Sequence, residues 1–160
     1  METLYMTKEI EKKYLIDINK LPSLTQGIEI KQGYISTSLR ATTRIRVAGD
    51  KAYLTIKGRT QGLTRTEFEY QIPIEDAIQM LAEFCEGSAI EKTRYLVKQS
   101  KHTWEIDVFH GDNHGLVVAE IELGSEDESY DLPEWVTEDV SHEVKYCNSN
   151  LLTNPYKNWL

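Results

Sequence analysis

The sequence predicts a mainly β (α+β) fold: an eight-stranded antiparallel β-barrel with a few helices packed outside. Three observations predict it. Apolar–polar alternation of period two dominates the chain, helical periodicity is concentrated in one segment, and the candidate strands follow one another in hairpin order. An open sheet of that length would leave two unpaired edges, and closure into a barrel removes both.

The elements follow in order. The first strand is read at residues 8–16, "KEIEKKYLI", with a short helical piece around 17–25. Strands at 28–36, 43–48 and 51–58 come next, the last two joined by a tight turn at Gly49-Asp50. After a strand at 65–72, Glu75 to Glu86, "EDAIQMLAEFCE", reads as a helix. It carries acids in its first turn, Ile78, Leu81, Ala82 and Cys85 at helical spacing, and Gly87 just past its end. Strands at 91–99, 102–109 and 117–124 complete the set of eight, with a looser loop at Gly111-Asp112-Asn113. The acidic, turn-rich segment 125–143 reads as a solvated surface loop anchored by Trp135, and Ser149 to Leu152 as a short helix.

At 160 residues, 28% charged and 40% hydrophobic, the chain has the balance of one globular domain, taken as residues 1–160. Its net charge of -8 argues against non-specific nucleic-acid binding, which needs a basic field. The start, "METLYMTKEIEKK", lacks the basic-then-apolar pattern of a signal peptide, and no apolar run reaches the length of a membrane span. Cys85 and Cys147 lack metal-type spacing and read as buried or half-buried thiols of a cytoplasmic protein. His102, His110, His114 and His142 are scattered in loops or at strand ends and read as surface groups. No P-loop, Rossmann fingerprint or nucleophile–base arrangement stands out.

Charges repeat at i, i+2 on strand after strand: Glu9, Glu11 and Lys13; Arg44 and Arg46; Lys57; Arg65, Glu67 and Glu69; Lys92 and Arg94; Glu105 and Asp107; Glu120 and Glu122. An amphipathic sheet with a wet polar face accounts for any single pair. Two features of the set favour an interior instead. The positions are almost all Arg, Lys or Glu rather than mixed polar residues, and like charges stand ~7 Å apart on single strands, where they repel unless opposite charge lies between. With the charged face inside, clustered carboxylates without Cys or His suit Mg²⁺ or Mn²⁺, and a ring of Arg and Lys suits a phosphate chain. A cavity holding both implies a metal–polyphosphate ligand.

The ordered set resembles the CYTH superfamily, the triphosphate tunnel metalloenzymes. E-x-E-x-K at Glu9, Glu11 and Lys13 is similar to its N-terminal signature. R-x-R at Arg44 and Arg46, "YLTIKG", "GLTRTEFEY", "KTRY", "WEIDVF", "GLVVAEIEL" and "LPEW" continue the likeness from Lys8 to Tyr156. Near the C-terminus "VSHEVKYCNSNL" departs from the family's usual Asp-then-Arg, with Lys145 as the basic residue at hand. The resemblance, strongest to the bacterial triphosphatase branch, implies an eight-stranded tunnel and divalent-metal-dependent chemistry on a small-molecule triphosphate. Tripolyphosphate would be hydrolysed to pyrophosphate and phosphate. Arg44, Arg46, Lys57, Arg65, Lys92, Arg94 and Lys145 would hold the chain. Glu120 and Glu122, with Glu9 or Glu11, would hold one metal, and Glu11 with Glu69 a second. Lys13 would position or activate the attacking water, and Asp107 would ligate metal or hold a neighbouring Arg. The competing readings are a class IV-type adenylate cyclase, a thiamine or nucleoside triphosphatase, and a non-catalytic polyphosphate-binding module. The oligomeric state, a homodimer included, is left open.

Overall fold

Eight strands close on themselves in the computed structural model, which describes residues 8–159. They are β1 (Lys8–Ile16), β2 (Ile28–Thr37), β3 (Ala41–Ala48), β4 (Lys51–Gly58), β5 (Thr64–Ile72), β6 (Ile90–Gln99), β7 (His102–Phe109) and β8 (Val117–Glu122). Around the barrel the order is β5-β4-β3-β2-β6-β7-β8-β1, every pair antiparallel, and β1 returns to β5 through Lys8↔Thr66 to Ile10↔Thr64. The strand boundaries agree with the sequence reading to within two residues, because alternation marks both faces of each strand.

A further strand, β9 (Val136–Asp139), lies in the segment read as a solvated loop. One edge of β1 faces β8, while its other edge pairs first with β5 and then, at Tyr14–Ile16, with β9. Barrel closure therefore leaves the far half of that edge unpaired, and β9 covers it. Trp135 does anchor the segment: it is buried and packs edge-on against Trp104 at 5.3 Å.

The one α-helix among the described residues, α1 (Ile74–Glu83), ends earlier than the sequence suggests and buries a partly different stripe. Ala77 is fully buried, with Ile74, Met80, Leu81 and Cys85 packed beside Ile45 and Ala52, whereas Ile78 and Ala82 face out. Close approach decides this phase. A Cβ on Gly33 of β2 would meet the Cys85 side chain at 2.9 Å, so the small residues Ala77 and Gly33 let the helix end lie against the barrel. The helical piece expected around 17–25 is a single 3-10 turn at Ile18–Lys20, and the C-terminal one is a 3-10 turn at Asn150–Leu152.

The apolar outer face is covered unevenly. Tyr14, Trp104, Ile106, Ala119 and Ile121 are buried under the segment that leads to β9. On β4 and β5, by contrast, Ile56, Phe68 and Tyr70 stay exposed, because α1 crosses β3 and the far end of β4 instead. Inside, the polar lining gives way at one end to Ile90, Phe109 and Val118, which sit opposite Gln32, Lys92 and Asp107 and so share the inner face. Tyr146 and Leu151 from the C-terminal segment pack onto them. The C-terminal segment is therefore a plug for that end of the barrel. No helix among the described residues is long and apolar enough to cross a membrane.

Candidate active site

Register places the charges. Residues directly opposite across an antiparallel pair share a face, and the pairs Glu9↔Arg65, Glu11↔Glu122, Lys13↔Glu120, Glu105↔Glu120 and Arg94↔Asp107 all lie on the inner one. All of them but Asp107 line a cavity of about 240 Å³ bounded also by Arg44, Arg46, Lys57, Glu67, Glu69 and Lys92. The four adjacent strands β5, β1, β8 and β7 carry all of its carboxylates, and β4, β3, β2 and β6 carry every cation except Lys13 and Arg65. The tunnel thus has an acidic wall and a basic wall.

Where the walls meet, they neutralise each other. At the β4/β5 seam, Lys57 Nζ lies 2.8 Å from Glu9 and 3.2 Å from Glu67, and Arg44 reaches Glu69 at 3.4 Å. Lys57 holds Glu9 below the usual carboxylate range although burial opposes this. At the β6/β7 seam, Asp107 is fully buried and accepts from Lys92 Nζ at 2.6 Å and from Arg94 Nε at 2.7 Å. Burial would raise Asp107, but those two cations hold it low. Arg94 is also paired with Glu105.

Away from the seams the charges are unmatched. Glu11 faces Glu122 directly, and burial, then Glu120 and Glu9, push its carboxyl well above the usual range. On the opposite wall burial, then Arg44 and Arg94, lower Arg46 to about 10. At the β6/β7 seam too, burial lowers Lys92 to about 7 in spite of its pairing with Asp107, with Arg94 and Arg46 adding to the effect. Arg44 Nε is buried with no hydrogen-bond partner among the described residues. Lys13 is the exception within the acidic wall: it donates to the Tyr146 carbonyl at 3.0 Å and lies 3.4 Å from Glu120. Burial would lower Lys13, yet Glu120 and Glu11 hold it protonated, and Lys13 in turn keeps Glu120 ionised far below its usual range. Lys13 is thus held as an ammonium donor beside Glu120.

Of the residues predicted for the site, Lys145 stands apart. It is not part of the cavity lining; it is exposed, with its ammonium 5.1 Å and 5.0 Å above the rings of Tyr146 and Trp159. Cation–π contact on the plug, not the tunnel, is where its charge goes. Asp107 does not border the cavity either; it sits behind Lys92 and Arg94 and holds them. Glu105, Glu67, Tyr34 and Thr42 join the lining, and strand alternation was signal enough for each. Cys147, Asn148 and Ser149 come from the plug, where no periodicity exists to mark them. Cys147, read as buried or half-buried, is exposed at the cavity, while Cys85 is half-buried; both are free thiols. None of the four histidines borders the tunnel: His102 pairs with Glu128 and His110 with Thr93.

No three carboxylate, Cys or His side chains converge into a preformed metal cage among the described residues. Mg²⁺ is commonly held by one or two carboxylates together with substrate phosphates. The unmatched pair Glu11 and Glu122, with Glu120 beside them, fits such a cation, and the unmatched arginines fit the anion.

A closed barrel with a bipolar charged lumen is a tunnel built to hold a polyanion between its walls. The CYTH domain family model matches residues 7–156, and the chain belongs to the CYTH family. It is 45% identical to an inorganic triphosphatase of Acetivibrio thermocellus over 154 residues, 96% of this chain and 99% of that one. It is 34% identical to an inorganic triphosphatase of Nitrosomonas europaea, covering 89% of this chain and 95% of the relative. The crystal structure of an inorganic triphosphatase superposes with a TM-score of 0.63 at 31% identity, covering 95% of both chains.

Proposed function

We propose that the chain hydrolyses inorganic tripolyphosphate to pyrophosphate and orthophosphate in the tunnel, with Mg²⁺ or Mn²⁺ as cofactor. The observation that carries this reading is the pairing of unmatched charges across the lumen, Glu11 on one wall and Arg46 on the other. A ligand that brings both a cation and an anion relieves both at once. The two relatives named inorganic triphosphatase support the substrate.

Arg44, Arg46, Arg65, Lys57, Lys92 and Arg94 bind the phosphate chain and stabilise charge on its oxygens as the bond breaks. Asp107 keeps Lys92 and Arg94 in place from behind. Glu11, Glu120 and Glu122 would hold the divalent ion, with Glu9 and Glu69 available from the seam. Such an ion would supply charge neutralisation and a more acidic water, held there by those carboxylates. Lys13, fixed by Tyr146 and Glu120, offers its ammonium protons to a phosphate oxygen or orients the attacking water. Phosphoryl transfer asks chiefly for positioning and charge stabilisation, and no protein nucleophile is required.

The test is a phosphate-release assay on tripolyphosphate, ATP and thiamine triphosphate, each with Mg²⁺ and with Mn²⁺, products identified. Preferred release of phosphate from tripolyphosphate is expected. Cyclic nucleotide from ATP would replace the reading with that of a cyclase, and tight tripolyphosphate binding without release with that of a binding module.

A further inference from the structure

The plug that closes one end of the barrel sends one side chain into a hydrogen-bond chain spanning the basic wall. Arg46 Nε, which can only donate, gives its proton to Gln32 Oε1 at 2.8 Å. That fixes the Gln32 amide, so its Nε2 is the atom facing the plug, where it donates to Asn148 Oδ1 at 3.0 Å. Lys92 Nζ donates to the same Oδ1 at 3.1 Å and to Asp107 at 2.6 Å. Gln32, Lys92 and Asp107 are all essentially inaccessible to solvent.

Two donors on one oxygen settle the orientation of the Asn148 amide. Its Oδ1 is committed to Gln32 and Lys92, and its Nδ2 has no hydrogen-bond partner among the described residues. Asn148 borders the tunnel beside Arg46 and Lys92. A neutral amide donor held by two fixed neighbours beside two cations is placed to complete the coordination of an oxyanion that those cations attract. We infer that Asn148 is a phosphate-binding residue of the tunnel, donating Nδ2–H to the substrate while its Oδ1 aligns Gln32 and Lys92. This rests on the triphosphatase reading for the identity of the anion. It makes the C-terminal plug part of the binding site as well as a lid on the barrel.

Asn148→Asp and Asn148→Ala separate the two halves of the role. The aspartate keeps an acceptor for Gln32 and Lys92 but replaces the donor with a negative oxygen facing the phosphate chain. The alanine removes both. In the full chain, tripolyphosphate affinity by calorimetry and steady-state kinetics with Mg²⁺ are read beside the melting temperature. Asn148→Ala is expected to raise KM roughly tenfold to a hundredfold with kcat changed far less, the loss of one hydrogen bond to a charged group. Asn148→Asp is expected to bind more weakly still while melting no lower than the wild type. An aspartate variant that binds and turns over tripolyphosphate like the wild type would overturn the inference, since an acceptor alone would then suffice. A wild-type chain that binds tripolyphosphate without hydrolysing it removes the triphosphatase reading, yet the three affinities still decide the role of Asn148. A wild-type chain that does not bind it overturns both.

Discussion

The seams of the tunnel and the centres of its walls are built from the same residue types and behave in opposite ways. At the seams each carboxylate has a cation: Glu9 and Glu67 have Lys57, Glu69 has Arg44, and Asp107 has Lys92 and Arg94. Those pairs satisfy the protein itself. At the centres, Glu11 looks across to Glu122, and Arg46 lies among Arg44, Arg94 and Gln32. Those groups are stressed in the free protein and relieved only by something brought in. Function in a lumen full of charge is therefore to be sought where like charges face one another with no ion-pair partner, as at Glu11 and Glu122.

Breaking the centre should therefore cost turnover first. Replacing Glu120 and Glu122 together by Gln is expected to cut metal-dependent phosphate release by roughly a thousandfold or more, the scale on which charge-stabilising groups act in a dry site. Near-normal release by the double variant would sink the assignment of the acidic wall to the metal. Breaking a seam should instead cost stability. Asp107→Ala strands two buried cations, and a loss of about 3–5 kcal/mol in denaturant unfolding is expected. Because the native Asp107 is held below its unfolded value of about 3.9, its contribution is present above that pH and lost as the pH falls through the folded value. A variant as stable as the wild type would show that the seams do not hold the barrel together.

How far the sequence disclosed this division depends on periodicity. Alternation over the eight barrel strands placed Glu9, Glu11, Arg44, Arg46, Lys92, Arg94, Glu120 and Glu122 on one face, and segregation of sign argued that the face was inside. Which carboxylates are satisfied was not legible, because partners such as Lys57 and Glu9 are distant in the chain and meet only through the β1–β5 closure. β9 escaped notice because "VTED" offers a single apolar residue in an acidic segment, and only the open edge of β1 makes it a strand. The plug is illegible for the same reason: "KYCNSN" has no period, so Lys145 comes to the tunnel only through the family resemblance, and Asn148 carries no signal. Helix α1 is legible in part: Leu81 and Cys85 pack on the barrel as their spacing suggests, whereas Ile78 and Ala82 face out and a tight approach selects Ala77.

The centre can also be sharpened through stability. Glu11→Gln removes the charge that Glu120 and Glu9 repel, so the metal-free variant is expected to unfold about 1 kcal/mol later than the wild type while losing turnover. The sign of the pH dependence follows. A carboxyl whose folded pKa is raised costs stability above that pKa, and the cost disappears as falling pH protonates it. The stability gap between variant and wild type should accordingly widen with rising pH and close in acid. A gap that is constant with pH would show that Glu11 is not titrating in the folded tunnel.

The smallest effect belongs to the residue that only the family resemblance nominates. Lys145 lies on the outer side of the plug, over Tyr146 and Trp159, and Tyr146 and Trp159 themselves stack edge-on at 5.0 Å. Lys145→Ala removes an exposed cation–π contact, worth about 0.5–1 kcal/mol, and leaves every lumen charge in place. A slight fall in melting temperature with kcat/KM unchanged within about twofold is expected, a difference too small to count as lost transition-state binding. The plug matters to the site through Asn148, whose amide lies inside, so a large loss of kcat/KM in Lys145→Ala with the fold intact would mean that Lys145 swings into the tunnel when substrate binds. That outcome would redraw the basic wall to include the plug's charge, and the resemblance would then prove a better guide to Lys145 than register.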